Sequence, residues 1–283
     1  MLVENKNFSF LKEIRGNEKP LIFILGPCVI ESESHTLKMA ESLKKLSEKL
    51  NFKLIFKSSF DKANRTSLSG FRGVGLATGK KILSKVKNEL DLPIITDVHE
   101  SSQVEEISSF ADILQIPAFL CRQTDLLLAV GKSGKIVHLK KGQFVTCGAI
   151  EKAAKKIEST GNKNIWLCER GYAFGYGDLI VDFRNFTTMK SFGRPVTFDA
   201  THSVQKPSGL GDASGGDRSF VADLAISAVS AGIAGIFMEV HDNPEKALCD
   251  GPNSIRLSQL EDLIKYLMEL DAFVKSKKRP EIY

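Results

Sequence analysis

Short apolar runs recur along the chain, and stretches with helical periodicity separate most of them. The runs at 21–25, 53–57, 93–97, 112–116, 135–139, 164–168, 195–199 and 235–240 read as strands. Most, such as LIFIL and GIFMEV, are continuously apolar rather than alternating. That is the pattern of parallel strands covered on both sides. Between them, Leu37, Ala40, Leu43, Leu46 and Leu50 recur at roughly helical spacing after Ser34, the expected cap. Ile82, Val86 and Leu90 repeat at four-residue steps. Ile150, Ala153, Ala154 and Ile157 make a helical stripe that ends near Gly161, and Val221, Leu224, Ala225 and Ala228 make another before Gly232. A last helix carries Leu260, Leu263, Ile264 and Leu267, while the helices after the third, fourth and sixth strands are expected to be short.

Eight strands with intervening helices predict an α/β fold, a single (β/α)8 TIM-type barrel over 21–283 with an N-terminal extension over 1–20. The extension stands outside the repeat and is expected to form a plug or hairpin at the bottom of the barrel. An open doubly wound sheet is the alternative, but no Gly-rich dinucleotide fingerprint follows the first strand. No Pro-, Gly- or Ser-rich linker divides the 283 residues, and 42% hydrophobic content supplies a sizeable core.

Charge changes this picture little. The net charge of +5 comes from 39 basic and 34 acidic residues. It suits phosphorylated small molecules or a solvated surface equally, and no basic tail points to nucleic acid. No stretch reads as a signal peptide or a membrane span, and five scattered cysteines fit free thiols in a reducing cytoplasm.

Barrel enzymes carry their chemistry where strands end and loops begin. Here every strand end bears a polar or ionisable group: Cys28 and Glu31; Lys57, Lys62, Asn64, Arg65 and Thr66; Asp97 and His99; Gln115; Lys140 and Lys141; Glu169 and Arg170; Asp199 and His202; Glu239 and His241. Lys57, Lys62, Arg65, Lys140 and Arg170 would repel one another if they converged, a cost that bound anions relieve. For Lys57 or Lys141 taken singly, an exposed lysine at a helix start is the plainer alternative. Cys28, His202, Glu239 and Asp250 form no local metal motif. In a closed barrel, however, the seventh, eighth and first strands are consecutive, so one thiolate, one imidazole and two carboxylates could meet at a point. Such a mixed set suits Zn, Fe or Mn better than Mg or Ca. The Gly-rich segment 208–218 reads as a mobile lid over this end.

These landmarks resemble the 3-deoxy-D-manno-octulosonate 8-phosphate synthase family. The similarity rests on GPCVIESE at 26–33, FKSSFDKANRTS at 56–67, TDVHE at 96–100, LQIPAFLCRQTDLL at 114–127, KKGQF at 140–144, ERG at 169–171, FGYGDLIVDFR at 174–184, DATHSVQKP at 199–207 and CDGP at 249–252. KANR sets it apart from the related 3-deoxy-D-arabino-heptulosonate 7-phosphate synthases, which carry a KPR-type segment there. The resemblance implies a transferase that joins phosphoenolpyruvate to D-arabinose 5-phosphate for lipopolysaccharide synthesis. It implies that Lys140 and Arg170 hold the phosphate of phosphoenolpyruvate, and Lys62 its carboxylate, with Lys57 nearby. Asn64 and Asp97 would meet the pentose hydroxyls, and Arg65 and Thr66 its phosphate; many relatives have Ser in place of Thr66. Gln115 would line the pocket, and Phe119 and Arg122 would reach a neighbouring site in a homotetramer. Cys28 marks the metal-using branch, whose ligands would be Cys28, His202, Glu239 and Asp250. His202, Lys62 and Asp250 are the expected catalytic residues. Three other readings compete with this one: the heptulosonate reaction with erythrose 4-phosphate, a Schiff-base aldolase using Lys57 or Lys140, and a non-catalytic phosphosugar-binding barrel.

Overall fold

The computed structural model describes residues 8–175, 177–207, 215–280 and 282. Eight parallel strands form its centre: β1 (Ile22–Gly26), β2 (Lys53–Lys57), β3 (Ile94–Asp97), β4 (Ile113–Ile116), β5 (Ile136–Lys140), β6 (Ile165–Glu169), β7 (Val196–Asp199) and β8 (Gly235–His241). Each pairs with the next, and β8 closes on β1 with Ile22 opposite Gly235 and Gly26 opposite Glu239. The sheet is therefore a barrel, as the run of eight apolar segments predicts, and the expected strands lie within a residue or so of the observed ones.

Helices cover the outside: α1 (Ser9–Glu13) precedes the barrel, followed by α2 (Glu33–Leu50), α3 (Leu76–Leu90), α4 (Val104–Ser108), α5 (Thr124–Lys132), α6 (Cys147–Glu158), α7 (Arg184–Ser191), α8 (Val221–Ser230) and α9 (Leu260–Ser276). The helices after β3, β4 and β6 are the short α4, α5 and α7. The cap of α2 differs from expectation. Ser32, not Ser34, accepts the His35 amide at 3.2 Å, so the helix starts earlier and Ser34 falls within its first turn. The helices α6 and α8 run out shortly before Gly161 and Gly232, which take φ of 92° and 69°. The central lid residues, 208–214, lie outside the described residues.

Alternation along the strands sorts two apolar layers. Phe23, Leu25, Leu54, Phe56, Leu114, Val137, Leu139, Leu167, Phe198 and Met238 pack outward against the helices. Ile22, Ile24, Ile55, Ile95, Ile113, Trp166 and Phe237 form a separate inner cluster with Phe8, Leu11 and Ile14. In the described part of the N-terminal segment, a single helical turn and its flanks pack against the inner cluster as a plug. Further along the inner phase, the same alternation delivers Lys57, Asp97, Gln115, His138, Lys140, Asp199 and Glu239, all buried. The strands change from apolar to charged along one face, and that change sets where the site lies.

His138 occupies the middle of this inner phase. Its Nδ1 lies 3.0 Å from Gln115 Oε1 and its Nε2 2.8 Å from Thr197 Oγ1. Gln115 in turn donates to Asp97. A neutral imidazole satisfies this chain, with Nδ1–H donating and Nε2 accepting. Burial, followed by the charge of Lys140, lowers the His138 pKa from 6.5 to about 3. The unfolded chain therefore binds a proton that the folded one refuses between those values. Folding stability should fall as pH drops from about 6.5 toward 3, with this residue contributing up to ~1.4 kcal/mol per pH unit. Urea unfolding at pH 7 and pH 5 should show a smaller loss for His138→Gln than for the parent. Equal losses would mean that His138 takes up its proton in the folded state as well.

Candidate active site

At the C-terminal ends of the strands lies a cavity of about 310 Å³. It is lined by Lys57, Lys62, Asn64, Arg65, Thr66, Asp97, Gln115, Phe119, Lys140, Arg170, His202 and Asp250 among others. Of the residues singled out from sequence, Cys28 and Glu239 sit buried beneath this surface. Arg122 is exposed and does not line the cavity. Phe119 lines it while remaining 52% exposed.

The lysines are not loose surface charges. Lys57 is 1% exposed, and its Nζ donates to Cys28 O and Glu239 Oε1, both at 3.2 Å. Lys141 is fully buried, with Nζ 3.3 Å from Glu169 Oε1 and 3.5 Å above the Tyr172 ring. The reading of either as an exposed helix-start lysine is therefore wrong. Each is buried at a strand end where a carboxylate from another strand meets it, Glu239 of β8 for Lys57 and Glu169 of β6 for Lys141. Lys140 Nζ lies 2.6 Å from Asp199 Oδ2 and 3.9 Å from the centre of the Phe237 ring. Lys62 Nζ stands 3.9 Å from Glu239 Oε1. Burial works against the Lys62 charge, but the negative groups around it, Cys28 when ionised and Glu239 first, raise its pKa well above the usual value. Burial works against the Asp97 charge too, yet Lys57 and Lys62 hold its carboxyl well below the ordinary range.

Arg170 is different. Its Nη2 donates to Gln205 Oε1 at 2.8 Å, while Nε and Nη1 are buried with no partner among the described residues. Burial pushes its pKa down, against the pull of Asp199. A buried guanidinium with two unspent donors, in a cavity that Lys140 also lines, has the chemistry to receive the oxygen atoms of an anion.

Opposite this cationic side, His202 Nδ1 is held 2.8 Å from Asp199 Oδ2. Its Nε2 is 3.4 Å from both Glu239 Oε1 and Asp250 Oδ2. Asp250 Oδ2 is also 3.2 Å from Cys28 Sγ. His202, Glu239 and Asp250 converge as one donor group, while Cys28 meets it only at Asp250, so the four residues share one region rather than one point; Glu239 Oε2 is buried without a partner among the described residues. A histidine oriented by a carboxylate on one nitrogen and facing two more on the other is the usual setting of a metal ligand. Without an ion, burial opposes protonation of His202, but Asp199 and Glu239 raise its pKa above the usual value. Burial pushes the Cys28 thiol well up, helped by Cys249 and Asp250. A bound cation would reverse this and favour the thiolate.

Two participants, Cys249 and Gln205, were not singled out in the sequence, and Asp199 was named only as a strand-end group. Cys249 Sγ lies 2.7 Å from Cys28 Sγ and accepts from Arg65 Nη1 at 3.0 Å. With Cys28 and Asp250 it makes a second donor triplet that shares Asp250 with the first. Its place beside Asp250 in CDGP was the available signal. Gln205 bridges the two halves, taking the Arg170 hydrogen bond and donating to Asp250 Oδ1 at 3.1 Å. Asp199 clamps both Lys140 and His202, though only its position at a strand end was legible.

Known proteins resemble this chain along most of its length. A family profile described as the DAHP synthetase I family matches residues 1–276. The chain is 55% identical over 260 residues to a 2-dehydro-3-deoxyphosphooctonate aldolase of Geotalea uraniireducens, covering 92% of this chain and 96% of that one. It is 56% identical over 255 residues to the protein of that name from Desulfatibacillum aliphaticivorans, covering 90% and 93%. For the Geobacter sulfurreducens counterpart the figure is 52% over 260 residues, covering 92% and 96%. With likeness spanning nearly its whole length, the chain belongs to the DAHP synthetase I family and, within it, to the 2-dehydro-3-deoxyphosphooctonate aldolases.

Proposed function

We propose that this barrel condenses phosphoenolpyruvate with D-arabinose 5-phosphate and water, giving 3-deoxy-D-manno-octulosonate 8-phosphate and phosphate. The observation that carries the reading is the pair of unspent Arg170 donors beside Lys140, set across one cavity from the His202, Glu239, Asp250 and Cys28 cluster. C3 of the enol phosphate attacks the aldehyde carbon, and water adds at C2. The hemiketal phosphate then loses phosphate with cleavage of its C2–O bond. Lys140 and Arg170 bind the phosphate of phosphoenolpyruvate and stabilise charge as it leaves; Lys62, with Lys57 close by, faces the carboxylate. Asn64 and Asp97 take the pentose hydroxyls, Arg65 and Thr66 the pentose phosphate, and Gln115 holds Asp97 in place. His202, pinned by Asp199, and the ionised Asp250 are the groups nearest the reacting carbons that can accept or return a proton.

Cys28, His202, Glu239 and Asp250 would hold a divalent ion, and their mixed sulfur, nitrogen and oxygen donors suit Zn, Fe or Mn. Such an ion would polarise the aldehyde or position the water. Residues 21–283 work as one catalytic unit, with Phe119 and Arg122 turned toward neighbouring copies in a homotetramer. The five free, buried cysteines support a cytoplasmic setting, and no helix among the described residues is long and apolar enough to cross a membrane. The product would enter lipopolysaccharide synthesis. A Schiff-base mechanism is disfavoured because Lys57 and Lys140 are each spent in a buried ion pair.

Phosphate release from the two substrates should be abolished by EDTA and restored by Mn, Zn or Fe. Release that survives chelation with no retained metal would remove the ion from the reaction. A higher kcat/KM with erythrose 4-phosphate would overturn the substrate assignment. In Arg170→Lys the planar fork is lost but the charge remains. kcat/KM for phosphoenolpyruvate should then fall ~10²-fold, chiefly through KM, while KM for the pentose changes little. An equal rise in both KM values would place Arg170 away from the phosphoenolpyruvate phosphate.

A further inference from the structure

A second group of metal donors lies outside the cavity, where the loop after β1 meets the end of β8. Glu31, His35 and His241 each offer a ligand atom, all within 4.8 Å of one another. None of the three lines the cavity. Their side chains are 17%, 16% and 6% exposed, deep enough to exclude bulk water yet open to an entering ion. The two imidazole rings lie 4.6 Å apart at a tilt of 34°, and His241 Nε2 is 3.2 Å from Glu31 Oε1.

Hydrogen bonding fixes the state of His35. Its Nε2 faces Asp242 Oδ1 at 3.1 Å, while its Nδ1 is buried and has no partner among the described residues. The carboxylate draws the ring proton to Nε2 and leaves the Nδ1 lone pair free, which is how a carboxylate prepares a histidine for a metal. Lys38 Nζ, 2.8 Å from Asp242 Oδ2, keeps Asp242 in that supporting place. At His241 the ring must shift its proton. Nδ1 now accepts from the Asn243 amide at 2.9 Å, so Nε2–H points at Glu31. Binding through Nε2 moves the proton to Nδ1, where Asp242 Oδ1 stands 3.3 Å away. The cost is one backbone hydrogen bond.

We propose that Glu31, His35 and His241 form a second divalent-cation site, selective for a borderline ion such as zinc, with Asp242 orienting both imidazoles. Two imidazoles and one carboxylate are a donor set that zinc takes with water as its fourth ligand. Zinc bonds of ~2.0–2.1 Å set tetrahedral neighbours about 3.3 Å apart, so the 3.2 Å Glu31–His241 spacing already fits, and His35, whose ligand atom lies within 4.8 Å of theirs, needs only a small movement to join them. An ion there ties the segment that carries Cys28 to the strand that carries Glu239. It binds whether or not the Cys28 cluster holds a metal, so the two assignments fail separately.

The test is zinc stoichiometry by elemental analysis on the full chain, stripped by chelator, loaded with excess zinc at neutral pH and passed through a desalting column. Parent protein should retain about two ions per chain, with His35→Asn and Glu31→Gln each retaining about one and Cys28→Ser keeping the ion that those variants lose. If the Cys28 cluster takes no zinc, the parent retains one, and His35→Asn abolishes it. Circular dichroism melts of each variant confirm that it is folded. A parent whose zinc content is unchanged in both His35→Asn and Glu31→Gln overturns the proposal and leaves Glu31 and His241 as a hydrogen-bonded pair.

Discussion

Lys57 holds together the part of the barrel on which the site depends. Its ammonium, on β2, reaches past β1 to Glu239 on β8 and also binds the carbonyl of Cys28 on the way. The reach requires tight strands, and a Cβ on Gly26 would stand 1.8 Å from the Lys57 carbonyl oxygen. Removing either partner would strand an uncompensated charge in the interior, at a cost of about 3–5 kcal/mol. Lys57 meets Cys28 and Glu239, and Glu239 in turn meets Lys62, so the donor cluster and the cationic side share a common support.

The same pairing changes how the cationic residues should be read. From sequence, Lys57, Lys62, Arg65, Lys140 and Arg170 look like charges that bound anions would reconcile. In the folded chain, Glu239 pairs with Lys57 and Lys62 and Asp199 with Lys140, Asp97 and Asp250 add two more carboxylates to the cavity, and Lys141 has Glu169. The cavity's own charges are therefore close to balanced. What remains for an anion is directional rather than coulombic: the two unspent Arg170 donors, and Lys62 at a looser 3.9 Å from its carboxylate. Substrate would complete hydrogen bonds here more than it would cancel repulsion.

The fold was legible because its signals are local. An apolar run buried on both sides is visible in five residues, and a helix face in eleven. The Ser34 cap went wrong because Ser32 and Ser34 look alike in sequence, and only the backbone of Ser32, extended at φ −157°, qualifies it. Among site residues, those at strand ends were legible by position, since barrel topology says where they must gather. Cys249 and Gln205 were not. They lie on loops, and their roles come from partners across the barrel, Cys28 and Arg65 for one, Arg170 and Asp250 for the other. Their contacts span 35 residues or more and leave no periodic trace in the sequence.

Asp250 shows how a loop residue can serve as firmly as one on a strand. It is one of only three non-glycine residues with positive φ among those described, at 50°, a conformation that aspartate tolerates better than most residues. Its own carbonyl accepts from the amides of Asn253 and Ser254 and from the Ser254 hydroxyl, which closes a tight turn around it. Nearby, the Gly251 carbonyl accepts from Arg218 Nη2 at 3.0 Å. With its backbone locked, the Asp250 carboxylate can meet Cys28, His202 and Gln205 at once, and His202 holds its pKa well below the ordinary value despite burial. A mobile loop acid would lose most of that interaction to conformational entropy. The left-handed turn is thus the local cost of a fixed carboxylate at the junction between the His202 and Cys28 donor groups and the Arg170 side of the cavity.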